Sequence, residues 1–171
     1  MSNESELVGK FLYCSNLLEE KAAKAYEHIA HLVDDKIIKG LLGYIARDSF
    51  KHAECFRLMA ELLSPKISIS PKDCVEVWGE SWLTAVKDAE SFIEKKERVS
   101  RTDLKFLISG LERFESFVAE EYLTIIHAKL VNILIDEKGL NLGILKTVLE
   151  WIIEDEDRHK RILEIINSLL P

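Results

Sequence analysis

Apolar positions recur every three to four residues along nearly the whole chain, the period of a helix buried on one face. The pattern predicts a helix from about Ser5 to Val33 and a second from about Lys36 to Leu63, joined by a turn at Asp34-Asp35 and ended by Ser64-Pro65. KISISP, from Lys66 to Pro71, alternates like a strand but is too short and isolated to build a sheet, so it reads as a connector. With Pro71 in the first turn, where proline is tolerated, an amphipathic helix is predicted to about Arg98. It carries Val75, Trp78, Trp82, Val86, Ala89 and Ile93 on one face. Ser100-Arg101-Thr102-Asp103 has the form of a capping box for a third long helix, to about Asp136. Lys138-Gly139 reads as a stop and Asn141 as the cap of a fourth long helix, to about Leu169.

Each of the four long stripes is interrupted near its middle. The first runs Val8, Leu12, Ser15, Glu19, Ala22, Tyr26; the second Ile38, Leu41, Ile45, Ser49, His52, Phe56. The third runs Leu104, Leu107, Leu111, Phe114, Val118, Glu121, Ile125; the fourth Leu145, Val148, Ile152, Glu156, His159, Leu163. Counted from the turns, Glu19, Ser49, Glu121 and Glu156 fall near one level of a bundle. Carboxylates gathered in an apolar interior are costly unless paired or bound to a cation. A mixed imidazole and carboxylate set suits iron, manganese or zinc better than calcium or magnesium. An internal echo strengthens the pattern: IARDSFKHAECF, from Ile45, aligns Asp48, Ser49 and His52 with Asp155, Glu156 and His159 of IIEDEDRHKRIL, from Ile152. On the third helix Glu115 and Glu120 compete with Glu121, which is favoured by depth. Tyr26 and Tyr122 read as core rings, and His28, His31 and His127 as surface or boundary residues.

Composition narrows the function. The chain is 171 residues long with 7 Gly and 3 Pro, which favours one domain of long, uninterrupted elements. A net charge of -7 without a basic stripe argues against nucleic acid. No apolar run approaches the ~18 residues of a membrane span, and the N-terminus lacks a basic start and a cleavable apolar segment, so no secretion signal is expected. Cys14, Cys55 and Cys74 form no CxxC pair, so they are expected to be reduced, buried thiols in the cytoplasm. They are too few for a four-cysteine iron site of the rubredoxin kind.

Glu156-x-x-His159, with Glu19, His52 and Glu121, resembles the ferritin-like superfamily, nearest the erythrin domain of rubrerythrins, over nearly the whole chain. The resemblance implies an all-α fold: a ferritin-like four-helix bundle of residues 1–171 whose crossover, about 65–101, holds an additional helix between helices 2 and 3. It implies metal ligands Glu19, His52, Glu121, Glu156 and His159, with Asp48 substituting for the bridging Glu that this chain replaces by Ser49. The metal is expected to be one or two iron ions, with manganese or zinc as alternatives. The expected activity is a non-haem oxidoreductase reacting with O2 or peroxide, fed by an external electron donor, in a homodimer. Ferrous iron oxidation and a metal-free interaction module are the competing readings.

Overall fold

The computed structural model describes residues 3–65, 68–117, 124–126, 128–129 and 142–171, and these contain helix and no strand. Six helices are described: α1 (Asn3–Leu32), α2 (Lys36–Leu63), α3 (Pro71–Trp78), α4 (Glu80–Ile93), α5 (Arg101–Phe117) and α6 (Leu142–Ser168). None is long and apolar enough to cross a membrane. Beyond Phe117 the expected third long helix is described only at residues 124–126 and 128–129, which are helical; Glu120, Glu121, Tyr122 and His127 lie outside the described residues, as do Lys138, Gly139 and Asn141.

Side-chain caps explain two of the helix starts. Asp35 accepts hydrogen bonds from the Ile37 and Ile38 amides at 2.9 and 3.2 Å, satisfying two donors that the first turn of α2 leaves open. Ser100 accepts from the Asp103 amide at 3.1 Å at the start of α5. The single crossover helix expected from Pro71 to Arg98 is corrected to two. Gly79 takes φ +76°, a conformation that L side chains rarely adopt, and breaks the run between α3 and α4.

The crossover descends along α1. Trp78 packs edge-on against Phe11 with ring centroids 4.5 Å apart, Lys21 pairs with Glu90, and the Val99 amide reaches the Leu32 carbonyl at 3.2 Å. It therefore starts beside the head of α1 and ends at the α1–α2 turn, where Arg98 meets Asp34. Helix α5 starts at the same end as α2 and runs parallel to it. The tail of α6 returns to that end, where Lys105 binds the Pro171 carbonyl at 2.6 Å. Trp82 is 2% exposed and packs in the core.

Two apolar clusters form the core. One gathers Val8, Leu12, Phe56, Met59, Leu149 and Ile152; the other Ile29, Ile38, Leu42, Ile45, Ile108, Leu163 and Ile166. A third cluster, Cys14, Leu18, Ala22, Cys74, Trp82, Ala85 and Phe114, seals the crossover onto α1 and α5. Here the expectation of three reduced thiols is corrected. Cys14 and Cys74 form a disulfide across Cα atoms 5.4 Å apart and 60 residues apart in sequence, while Cys55 is free and half-buried. The path of the crossover brings them together, and sequence spacing does not reveal that path. Closing a loop of this size stabilises the fold by ~4 kcal/mol on chain-entropy grounds. Reduction is therefore expected to lower the melting temperature by roughly 10 °C, measured by calorimetry with and without dithiothreitol.

Candidate metal centre

Between the first two clusters lies a polar layer: Glu19 from α1, Ser49 and His52 from α2, Glu115 from α5, and Glu156 and His159 from α6, all at most 3% exposed. A Leu at any of these positions would contribute roughly 1.5–3 kcal/mol through burial, so the layer weakens the core unless it has another role. Two groups of donors converge there. Glu19, His52 and Glu156 form one; Glu115, Glu156 and His159 form the other, and Glu156 belongs to both. His52 Nδ1 lies 2.9 Å from Glu156 Oε1 and 3.9 Å from Glu19 Oε2. His159 Nδ1 lies 3.5 Å from both Glu115 Oε2 and Glu156 Oε2. The two imidazoles stack with centroids 5.6 Å apart.

The far nitrogen of each ring is held by an aspartate from the opposite helix. His52 Nε2 meets Asp155 Oδ2 at 3.1 Å, and His159 Nε2 meets Asp48 Oδ2 at 3.4 Å. Carboxylates accept, so each Nε2 carries the proton and donates. In the neutral ring Nδ1 is then a lone pair aimed at carboxylate oxygens. His52 Nδ1, His159 Nδ1 and Glu156 Oε1 are indeed buried without a hydrogen-bond partner. Lone pairs facing oxygens repel unless a proton or a metal cation lies between them. Metal bonds of ~2.0–2.2 Å place neighbouring ligand atoms roughly 3 Å apart, close to the separations here, so the residues fit a metal. Lys51 closes the outer side, contacting Asp48 at 3.0 Å and Asp155 at 2.8 Å, and Arg158 pairs with Asp155.

Without metal the layer rearranges its protons. Burial pushes Glu19 well above the usual carboxylate range, and the charge on Glu156 adds to it. The same two causes raise Glu115 to about 8. Burial would also raise Glu156, but the imidazoles of His159 and His52 outweigh it and hold that carboxyl below its usual range. Burial would lower His159, but Glu115 and Glu156 outweigh it and push the imidazole up to about 11. The metal-free layer therefore pairs the Glu156 carboxylate with the His159 imidazolium, beside two protonated acids. Tyr26, raised by burial and by Glu115, keeps its proton and donates to Glu115 Oε1.

Five sequence-predicted residues can be placed. Glu19, His52, Glu156 and His159 come together; Asp48 lies behind His159 as a hydrogen-bond acceptor, outside both donor groups. Glu121 lies outside the described residues, and the described α5 residue in the layer is Glu115. Asp155 was absent from the predicted ligand set, although the internal echo aligns it with Asp48. Outer partners of this kind fix the ring and its tautomer, and their loss typically weakens metal binding ~10–100-fold. That loss is expected for Asp155→Asn and Asp48→Asn separately, with unchanged circular dichroism, read by competition with a chelating dye.

An open groove of about 700 Å³ between α4 and α5 includes Phe92, Phe106, Gly110 and Phe114. A tight apolar pocket behind it shares Phe92 and Phe114 and ends on Tyr26.

Compared with known proteins, the chain matches no family model, no curated protein and no solved structure.

Proposed function

We propose that this chain is a non-haem metalloprotein of the ferritin-like, rubrerythrin-related type, which binds iron in the polar layer and reacts with O2 or peroxide in the cytoplasm. One observation carries the reading: two imidazole Nδ1 atoms from different helices aim, without hydrogen-bond partners, at three carboxylates in a layer shielded from water. The parallel course of α2 and α5, imposed by a crossover running the length of α1, supports the ferritin-like topology.

Glu19 and His52 would hold one ion, Glu115 and His159 a second, with Glu156 between them. When bound, iron supplies an electron-exchanging centre able to coordinate a small oxidant. The protein's own groups do the rest. Asp155 and Asp48 fix the imidazoles so that Nδ1 faces inward. The Tyr26 hydroxyl orients Glu115 and holds a proton beside it. The two apolar clusters limit water on either side of the layer. Ser49 donates to Glu19 where the family's pattern has a fourth carboxylate, so this site has a lower negative charge than the resemblance implies. A homodimer belongs to the same proposal, with Phe106 and Trp151, 76% and 60% exposed, as aromatics that a second copy would cover.

The test begins with protein purified without chelator. Elemental analysis is expected to find iron, and ferrous iron at 100 times its Kd to stabilise the metal-free chain by ~2.7 kcal/mol. Peroxide consumption with a reductant supports the oxidant reading; oxygen uptake on adding ferrous iron alone indicates iron oxidation instead. No bound metal and no shift in melting temperature would leave a metal-free helical module.

A further inference from the structure

We propose that Cys14 and Cys74 are a redox-active pair that supplies the electrons for peroxide reduction in the buried layer, which rests on the function proposed above. The cysteines are too few for a rubredoxin-type electron carrier. The pair is well placed to replace one. Cys14 precedes Glu19 on α1 by about a turn and a half, roughly 7.5 Å of rise. The apolar cluster around the two sulfurs includes Leu18 and Phe114, which adjoin Glu19 and Glu115 in sequence. The pair thus belongs to a cluster whose Leu18 and Phe114 are the sequence neighbours of two of the carboxylates that face the proposed metal.

Burial separates this pair from an ordinary peroxide-reactive thiol. Both cysteines are 0% exposed, and Trp82 lies over them, its indole N–H donating to the Cys14 carbonyl at 3.1 Å. Thiols in apolar surroundings are poor nucleophiles, so direct attack on dissolved peroxide is disfavoured and oxidation should require the loaded site. Cys74 sits on α3, an eight-residue helix bounded by Pro71 and Gly79, the segment best suited to open locally for re-reduction. Disulfides in a reducing compartment are usually transient and catalytic, which matches this assignment. The step balances. One H2O2 accepts two electrons and two protons, its O–O bond breaks, and two waters leave. Both sulfurs are oxidised, their S–H bonds are lost and one S–S bond forms.

The experiment uses the full chain carrying Cys55→Ser, so that only this pair reports. The protein is reduced with dithiothreitol, desalted anaerobically, checked for helicity, loaded with ferrous iron and given one equivalent of H2O2. Free thiols are trapped by alkylation and counted by mass spectrometry. The expected result is loss of both thiols with one peroxide, at least ~10-fold faster than in metal-free protein, where the buried thiols react slowly. Cys74→Ser is expected to bind iron normally yet lose repeated peroxide turnover with dithiothreitol. Equal thiol oxidation with and without iron overturns the proposal. So does peroxide removal by the loaded protein while both thiols stay alkylatable, or a reduced chain that unfolds, since the bond would then be structural. A chain that binds no iron fails the earlier reading and takes this one with it.

Discussion

Glu156→Ala is expected to abolish metal binding and to destabilise the metal-free chain by roughly 3–5 kcal/mol. Among the described residues Glu156 is the only one shared by both donor groups, so its removal leaves each with two of its described ligands. The loss should exceed the ~10–100-fold expected for an outer partner. The stability effect has a separate cause. In the metal-free layer Glu156 is the carboxylate that stays ionised, and it neutralises the imidazolium of His159. Without it a buried cation faces Glu19 and Glu115, both of which burial drives toward their neutral forms. The double variant Glu156→Ala/His159→Leu removes the orphaned charge together with its partner and should recover much of the lost stability. Urea unfolding of wild type, single and double variants measures this. A single variant as stable as wild type would show that the layer holds no such charge pair.

The second large effect is a pH dependence that reverses when metal is added. Glu115 titrates at about 8 in the folded, metal-free chain and His159 at about 11. Both values lie above those of the unfolded chain, ~4.3 for Glu and ~6.5 for His. The folded state therefore holds more protons than the unfolded state between those limits, and stability falls as pH rises. The metal-free melting temperature should decline steadily from pH 6 to pH 9. At the acid end the sign is opposite. Lys51, His52 and Arg158 outweigh burial and hold Asp155 at about 2, and Glu156 also lies low, so stability is lost as pH falls below about 4.

Metal changes the slope because its ligands must be deprotonated. For the ion that Glu115 and His159 would hold, displacing one proton from each makes affinity rise ~100-fold per pH unit between pH 6 and 8. Loaded protein should then grow more stable over the range in which metal-free protein weakens. Calorimetric titration in buffers of different ionisation enthalpy counts the released protons. A metal affinity that is flat with pH would refute the assignment of these ligands.

Much of the site was legible because helix periodicity translates directly into depth. Glu19, His52, Glu156 and His159 each interrupt an apolar stripe, and all four reach the same layer. On α5 the reading depended on the end from which the level was counted. Measured back from Gly139, Glu121 falls near the middle of the bundle. Measured forward from the cap at Ser100, Glu115 falls within one residue of the distance that separates Ser49 from the Asp35 cap. Parallel helices with a common starting level bring equal counts together, and Glu115 is the described residue in the layer.

What the amino-acid order by itself determined is the helical class, the turn at Asp34-Asp35, the cap at Ser100, and the polar interruptions that no purely structural core requires. These are local properties, set by spacing and backbone chemistry within a few residues. Only the tertiary structure decided that Asp48 and Asp155 cross over to steady each other's histidines, that Gly79 splits the crossover, and that Cys14 meets Cys74. Each depends on segments far apart in the chain being laid side by side, and that placement follows from the packing of whole faces, which a one-dimensional pattern does not contain.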